Sequence, residues 1–198
     1  TWMHWLYALL SAAGFWLFIR AAWPMGTATS GQLWFLGVLV GTIGILLLLA
    51  LQWIAFRLGG WVVPRGIVGI FFLIVRFIGF SYRAALDPEN GFLLSMLGYT
   101  FGVGLCEELC KTLPLLFLAR GAKTLDARGL ALLGLATGVG FGVSEGITYS
   151  SDYYNGVSGG TIYVVRFVSC VALHAVWSSA SALVLWRAQA EIDGIESW

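Results

Sequence analysis

The sequence predicts an all-α, polytopic membrane protein, a bundle of about six transmembrane helices. Three observations carry that reading. The chain of 198 residues is 59% hydrophobic and only 11% charged, where a soluble domain carries about 25% charged residues. Apolar runs of the ~20 residues needed to cross a bilayer recur along it. Clusters of Gly, Pro, Asn, Asp and Ser separate those runs.

The spans fall at roughly 3–23, 32–58, 66–86, 91–119, 129–150 and 161–187. WPMGTATSG, GGWVVPRG, DPENG, RGAKTLDARG and SDYYNGVSGG supply the breaks. The short connections predict an antiparallel bundle forming a single transmembrane domain over 1–198. Helices one to three, about 3–86, hold no motif, and helices four to six, about 91–187, hold them all. The first residue is Thr1, so the chain is expected to be a fragment whose soluble extensions are missing.

Strict alternation puts Arg57, Arg65, Arg120, Lys123, Arg128 and Arg187 on the side of both termini, with only Arg20 and Arg83 opposite. By the positive-inside rule both termini are expected in the cytoplasm. Trp2, Trp5, Trp23, Trp34, Trp61 and Trp186 near the span ends read as interfacial anchors. A net charge of +1 gives no basis for nucleic-acid binding. Three cysteines in apolar segments give none for a disulfide framework.

Glycine costs helix stability, yet span five repeats it at Gly134, Gly138, Gly142 and Gly146. Span four carries a similar stripe of Gly98, Gly102, Cys106 and Cys110. In lipid such stripes admit close approach of a neighbouring backbone. They are expected to face each other or span six.

The chemistry lies beside these stripes. CEELCK places Glu107, Glu108 and Lys111 within one turn of span four. Phe141, Glu145 and Tyr149 follow at four-residue spacing on span five, and Arg166, Cys170, His174 and Ser178 on span six. At a rise of about 1.5 Å per residue, Glu107, Glu108 and His174 fall near mid-span and Glu145 roughly 8 Å toward the non-cytoplasmic side. A charge at bilayer mid-depth costs about 2.5–3.5 kcal/mol, so the groups must pair or work. Carboxylates crowded together suit a general acid or base near neutral pH. Arg166 is expected to pair with Asp152 or Glu145, or to reach the interface. Arg76 of span three either neutralises a carboxylate or does the same. Pro114 removes the helical partner of the Cys110 carbonyl and predicts a kink.

Glu107-Glu108-x-x-Lys111, Phe141-x-x-x-Glu145-x-x-x-Tyr149 and His174-x-x-x-Ser178 stand in order on successive helices. The set resembles the PrsW family of intramembrane proteases, in the superfamily that includes the CAAX-prenyl proteases and Abi proteins. It covers roughly 98–182. The resemblance implies a prokaryotic cell-membrane protease that cuts a membrane-anchored protein, such as an anti-sigma factor, in or near its transmembrane segment.

Two mechanisms are open. In the metal-free one, which the scarcity of imidazole favours, Glu107 or Glu108 activates water and Lys111 keeps one of them ionised. His174 then assists the oxyanion, Glu145 orients His174, and Tyr149 or Ser178 binds the intermediate. In the other, Glu108, Glu145 and His174 hold zinc. A zinc site of Cys106, Cys110, Cys170 and His174 is a weaker variant, because buried Cys is mostly packing. Outside proteolysis, a Glu/Lys/His relay also suits a proton-coupled transporter or channel, although 1–90 and 91–187 show no repeat. A purely structural ion-pair network is the third reading.

Overall fold

The computed structural model describes residues 2–58, 66–87, 89–121, 125–149, 153–154 and 157–195. In chain order the helices are α1 (Trp2–Ala22), α2 (Ser30–Leu39), α3 (Ile45–Leu58), α4 (Ile67–Leu86), α5 (Phe92–Gly98), α6 (Leu105–Gly121), α7 (Ala127–Tyr149), α8 (Thr161–Val164) and α9 (Val171–Ile195). π-helical turns at Val40–Gly44, Tyr99–Gly104 and Val165–Cys170 join α2 to α3, α5 to α6 and α8 to α9. The only strands among the described residues are β1 (Tyr153–Tyr154) and β2 (Val157–Ser158), which pair antiparallel.

The chain is an all-α polytopic membrane protein. Among the described residues five helices are long and apolar enough to cross a membrane: Trp2–Ala22, Ser30–Arg57, Ile67–Leu86, Ala127–Thr148 and Thr161–Gln189. The expected fourth span is not one of them. Its stretch is helical from Phe92 to Gly121, close to the expected 91–119, and holds Glu107, Glu108 and Lys111. Helix α6 runs on through Pro114 to Gly121.

The chain divides into two compact units, Thr1–Ile45 with Lys111–Trp198, and Leu46–Cys110. In the first, Leu33, Leu36, Leu115, Leu130, Leu132, Leu133 and Ala182 are almost wholly buried in one core. The glycine ridge of α7 faces α9 and the turn before it. A Cβ at Gly134 would sit 2.5 Å from the Ser178 carbonyl, and one at Gly142 would sit 2.9 Å from Val171 Cα. One at Gly138 would collide with the His174 carbonyl. Gly140, on another face of α7, meets Gly37 of α2 as closely, so α7 is gripped from two directions. Small residues there let backbones touch, which is how helices associate without a hydrophobic driving force.

Two polar devices fix the helix starts. Thr29 and Gln32 form a reciprocal capping box on α2, with Gln32 N–H donating to Thr29 Oγ1 at 3.2 Å and Thr29 N–H to Gln32 Oε1 at 2.9 Å. Asp126 caps α7, its Oδ1 accepting from Gly129 N–H at 2.7 Å and from the Thr27 hydroxyl at 2.8 Å.

Helix directions in this unit correct the expected topology. His4 and Tyr7 of α1 pack their rings on Tyr163, and the Ser11 hydroxyl donates to the Phe167 carbonyl. Farther along, Phe15, Phe18 and Trp23 line one cleft with Ala172, Val176 and Leu183. Helices α1 and α9 therefore run the same way, and the start of α1 and the end of α9 lie at opposite ends of the unit. Six alternating spans with both termini on one side do not describe it. Arg20, expected on the side opposite Arg128, belongs to the same end: it donates to Ser30 Oγ at 2.8 Å, beside the Thr27–Asp126 clasp.

In the second unit Gly98 and Gly102 pack on Ser81, Tyr82 and Ala85 of α4, neither of the partners expected for that stripe. Gly79 of α4 meets the Ala55 carbonyl of α3. Arg76 is exposed on α4.

Candidate active site

Four ionisable side chains of the first unit form one chain of contacts. Lys111 Nζ lies 2.8 Å from His174 Nδ1. Nε2 on the other side of that ring lies 2.5 Å from Glu145 Oε2. The second oxygen of Glu145 accepts from Arg166 Nη1 at 3.3 Å. Lys111 and Arg166, the two outer cations, are 1% and 3% exposed. Glu145 and His174 between them are 13% and 15% exposed, so the pair at the centre keeps a little access.

Each helix supplies its member for a visible reason. On α7, Gly138 and Gly142 let α9 approach until the His174 backbone touches the ridge, and this closeness brings the imidazole within reach of Glu145 one turn on. Gly146 leaves room for the Phe167 ring, whose edge would lie 2.8 Å from a Cβ there. Phe141 is fully buried. Its ring centre lies 4.5 Å from Lys111 Nζ and 5.3 Å from the His174 ring. A cation held over an aromatic face away from water gains about 2 kcal/mol, which offsets part of the cost of burying Lys111.

Arg166 depends on the π turn Val165–Cys170. In an ideal α-helix, residues eight apart point about 80° away from each other. A π turn absorbs one extra residue, which reduces the offset between Arg166 and His174 to about 20°. Both can then meet Glu145. Four-residue spacing alone does not put Arg166 there.

The structure thus brings together Lys111, Phe141, Glu145, Arg166 and His174. Ser178 lies on α9 a turn beyond His174, fully buried, and its hydroxyl has no hydrogen-bond partner among the described residues. Glu107 and Glu108 are half-buried on α6, Glu107 four residues before Lys111 and so on the same stripe of that helix. The side chain of Tyr149 and the whole of Asp152 lie outside the described residues. Of the two expected partners of Arg166, Glu145 is the one observed. The motifs nominate Lys111, Glu145 and His174, and Arg166 was read separately as a partner of Glu145; what spacing did not reveal is the pairing of Lys111 with an imidazole.

Carboxylate and imidazole are the right donor types for the zinc alternative, but their surroundings are not. A histidine that binds metal through one nitrogen donates its other N–H to an acceptor. Here the second nitrogen faces an ammonium, which has three donors and no acceptor. Arg166 holds Glu145 from the other side, so two cations border the place a third would occupy. Two cations therefore flank the carboxylate and the imidazole that the first unit supplies.

No curated protein and no solved structure matches the chain. The model of the PrsW family, described as intramembrane metalloproteases, matches residues 49–197. That match spans most of the chain and takes in all three motifs, so the chain belongs to the PrsW family of intramembrane proteases.

Proposed function

We propose that this chain hydrolyses a peptide bond in or next to the transmembrane segment of a membrane-anchored protein, using a glutamate-activated water. An anti-sigma factor is the substrate class the family resemblance suggests. The observation that supports this best is the relay from Lys111 through His174 and Glu145 to Arg166. A purely structural network needs only paired charges. This one holds an imidazole between a cation and a carboxylate, at a place that keeps some access.

In the proposed reaction Glu107 or Glu108 takes a proton from water as its oxygen attacks the scissile carbonyl carbon. The carbonyl π electrons move to oxygen. His174 shares its Nε2–H between Glu145 and the resulting oxyanion, and Glu145, fixed by Arg166, holds the ring in place. The glutamate then returns its proton to the leaving nitrogen, and the C–N bond breaks to give an acid and an amine. Ser178 and Tyr149 are assigned to the intermediate, as candidates to hydrogen-bond it.

Arg20, Arg128 and Arg187 belong to one end of the first unit, so the positive-inside rule places the end of α9 in the cytoplasm and the start of α1 outside. A prokaryotic inner membrane is the proposed location.

The test is cleavage of a membrane-anchored reporter co-expressed with the protein. Glu107→Gln with Glu108→Gln, and separately His174→Ala, should abolish cleavage while the protein still accumulates. Wild-type cleavage in these variants would sink the protease mechanism.

A further inference from the structure

Lys111 has a second job that its spacing from the glutamates does not suggest. Its Nζ lies 2.8 Å from His174 Nδ1, on the side of the ring opposite Glu145. An imidazole between two partners must match each of them. An ammonium can only donate, so Nδ1 has to accept. A carboxylate can only accept, so Nε2 has to carry the proton and donate to Glu145. Lys111 itself is held by burial and by the Phe141 ring 4.5 Å away.

We propose that Lys111 is a positioning residue that, together with Glu145, locks His174 as the neutral Nε2–H tautomer, so that one N–H is shared between Glu145 and the reacting centre and neither ring nitrogen is open to a metal. The inference deepens the proteolytic reading and takes its catalytic meaning from it. A histidine locked this way serves the oxyanion and leaves water activation to the glutamates. It also parts company with the metalloprotease description of the family.

The chain has only two histidines, so one substitution isolates the signal. Protein labelled with ¹⁵N-histidine in a His4→Gln background, reconstituted in lipid, should show His174 with a bare, hydrogen-bonded Nδ1 and a protonated Nε2. Lys111→Met should lose the hydrogen bond at Nδ1, moving that resonance toward a bare acceptor, while Glu145 keeps Nε2 protonated. Lys111→Arg, which still donates and cannot accept, should keep that hydrogen bond, and serves if the Met variant fails to fold. Wild-type protein equilibrated with zinc and washed should hold no zinc that His174→Gln removes. A Nδ1–H tautomer, an imidazolium or a metal-bound ring in the wild type would overturn the proposal. So would an unchanged Nδ1 signal in Lys111→Met, loss of the Nδ1 hydrogen bond in Lys111→Arg, or one zinc per chain that His174→Gln abolishes. These readings need no substrate. Absence of cleavage would count against the protease mechanism and leave the tautomer standing.

Discussion

Of the helix contacts closed by glycine among the described residues, two make a contrast: only one of this pair lies beside charge. In the unit Leu46–Cys110, Gly98 and Gly102 press onto α4 at Ser81, Tyr82 and Ala85. In the other unit, Gly134, Gly138 and Gly142 press onto α9 just as tightly. The α4 contact buries small residues and one tyrosine. The α7 contact lies beside buried Lys111 and Arg166 with Glu145 and His174 between them. Close approach is therefore the means in both places, and function follows from what stands next to the ridge. In lipid the tight backbone fit supplies the packing energy that a polar cluster lacks.

The largest effect should come from breaking the ridge itself. Gly138→Leu drives a side chain into the His174 carbonyl, a backbone atom that cannot swing aside. Overpacking of this kind costs about 3 kcal/mol or more. The expected result is little folded protein after detergent extraction and no cleavage. Gly14 of α1 has open space around it, so Gly14→Leu should leave both unchanged. Equal behaviour of the two variants would mean that the ridge does not set the approach of α7 and α9.

A smaller effect should follow from breaking the charge pairing while leaving the ridge intact. Arg166→Met strands the Glu145 carboxylate on its guanidinium side, and because Glu145 keeps 13% exposure the cost falls below the ~3–5 kcal/mol of a fully buried pair. Adding Glu145→Gln should recover part of that loss, because no uncompensated charge is then left. Unfolding of the two single variants and the double variant gives the coupling directly. Strict additivity would show that Arg166 stabilises α9 through other contacts. Cleavage should be lost in all three.

The same contrast shows what the sequence could reveal. Five of the six expected spans match helices within a few residues, because length and hydropathy encode them. The sixth, 91–119, corresponds to the continuous helical stretch Phe92–Gly121, which is not among the five candidate spans. Helix direction was harder to read. Strict alternation through this segment put Arg20 and Arg128 on opposite sides, whereas Thr27 and Asp126 tie those ends together. The π turn at Val165–Cys170 was invisible, since inserting one residue into a helical turn changes neither composition nor hydropathy. The motifs named Lys111, Glu145 and His174, because chemistry-bearing residues stand out in an apolar background. Their mutual partners lie 29 and 63 residues apart. No local periodicity encodes such pairing.

The smallest expected effect lies outside the ridge and outside the membrane-spanning part, at the clasp that starts α7. Asp126 is held below the usual carboxylate range, first by the Gly129 N–H and then by the hydroxyl and N–H of Thr27. A depressed folded-state pKa means that the folded protein prefers the ionised form more than the unfolded chain does. The stabilisation is therefore complete above the ordinary value of 3.8 and is lost as pH falls through the lower folded-state value. Asp126→Asn keeps an acceptor oxygen and removes the charge; Asp126→Ala removes both. At pH 7 melting temperature should fall in the order wild type, Asn, Ala. Below 3.8, as pH falls through the lower folded-state value, the gap between wild type and Asn should close, because the wild-type carboxyl is then becoming neutral too. Parallel melting curves across that range would mean that the charge of Asp126 contributes nothing and that the clasp holds by hydrogen-bond geometry alone.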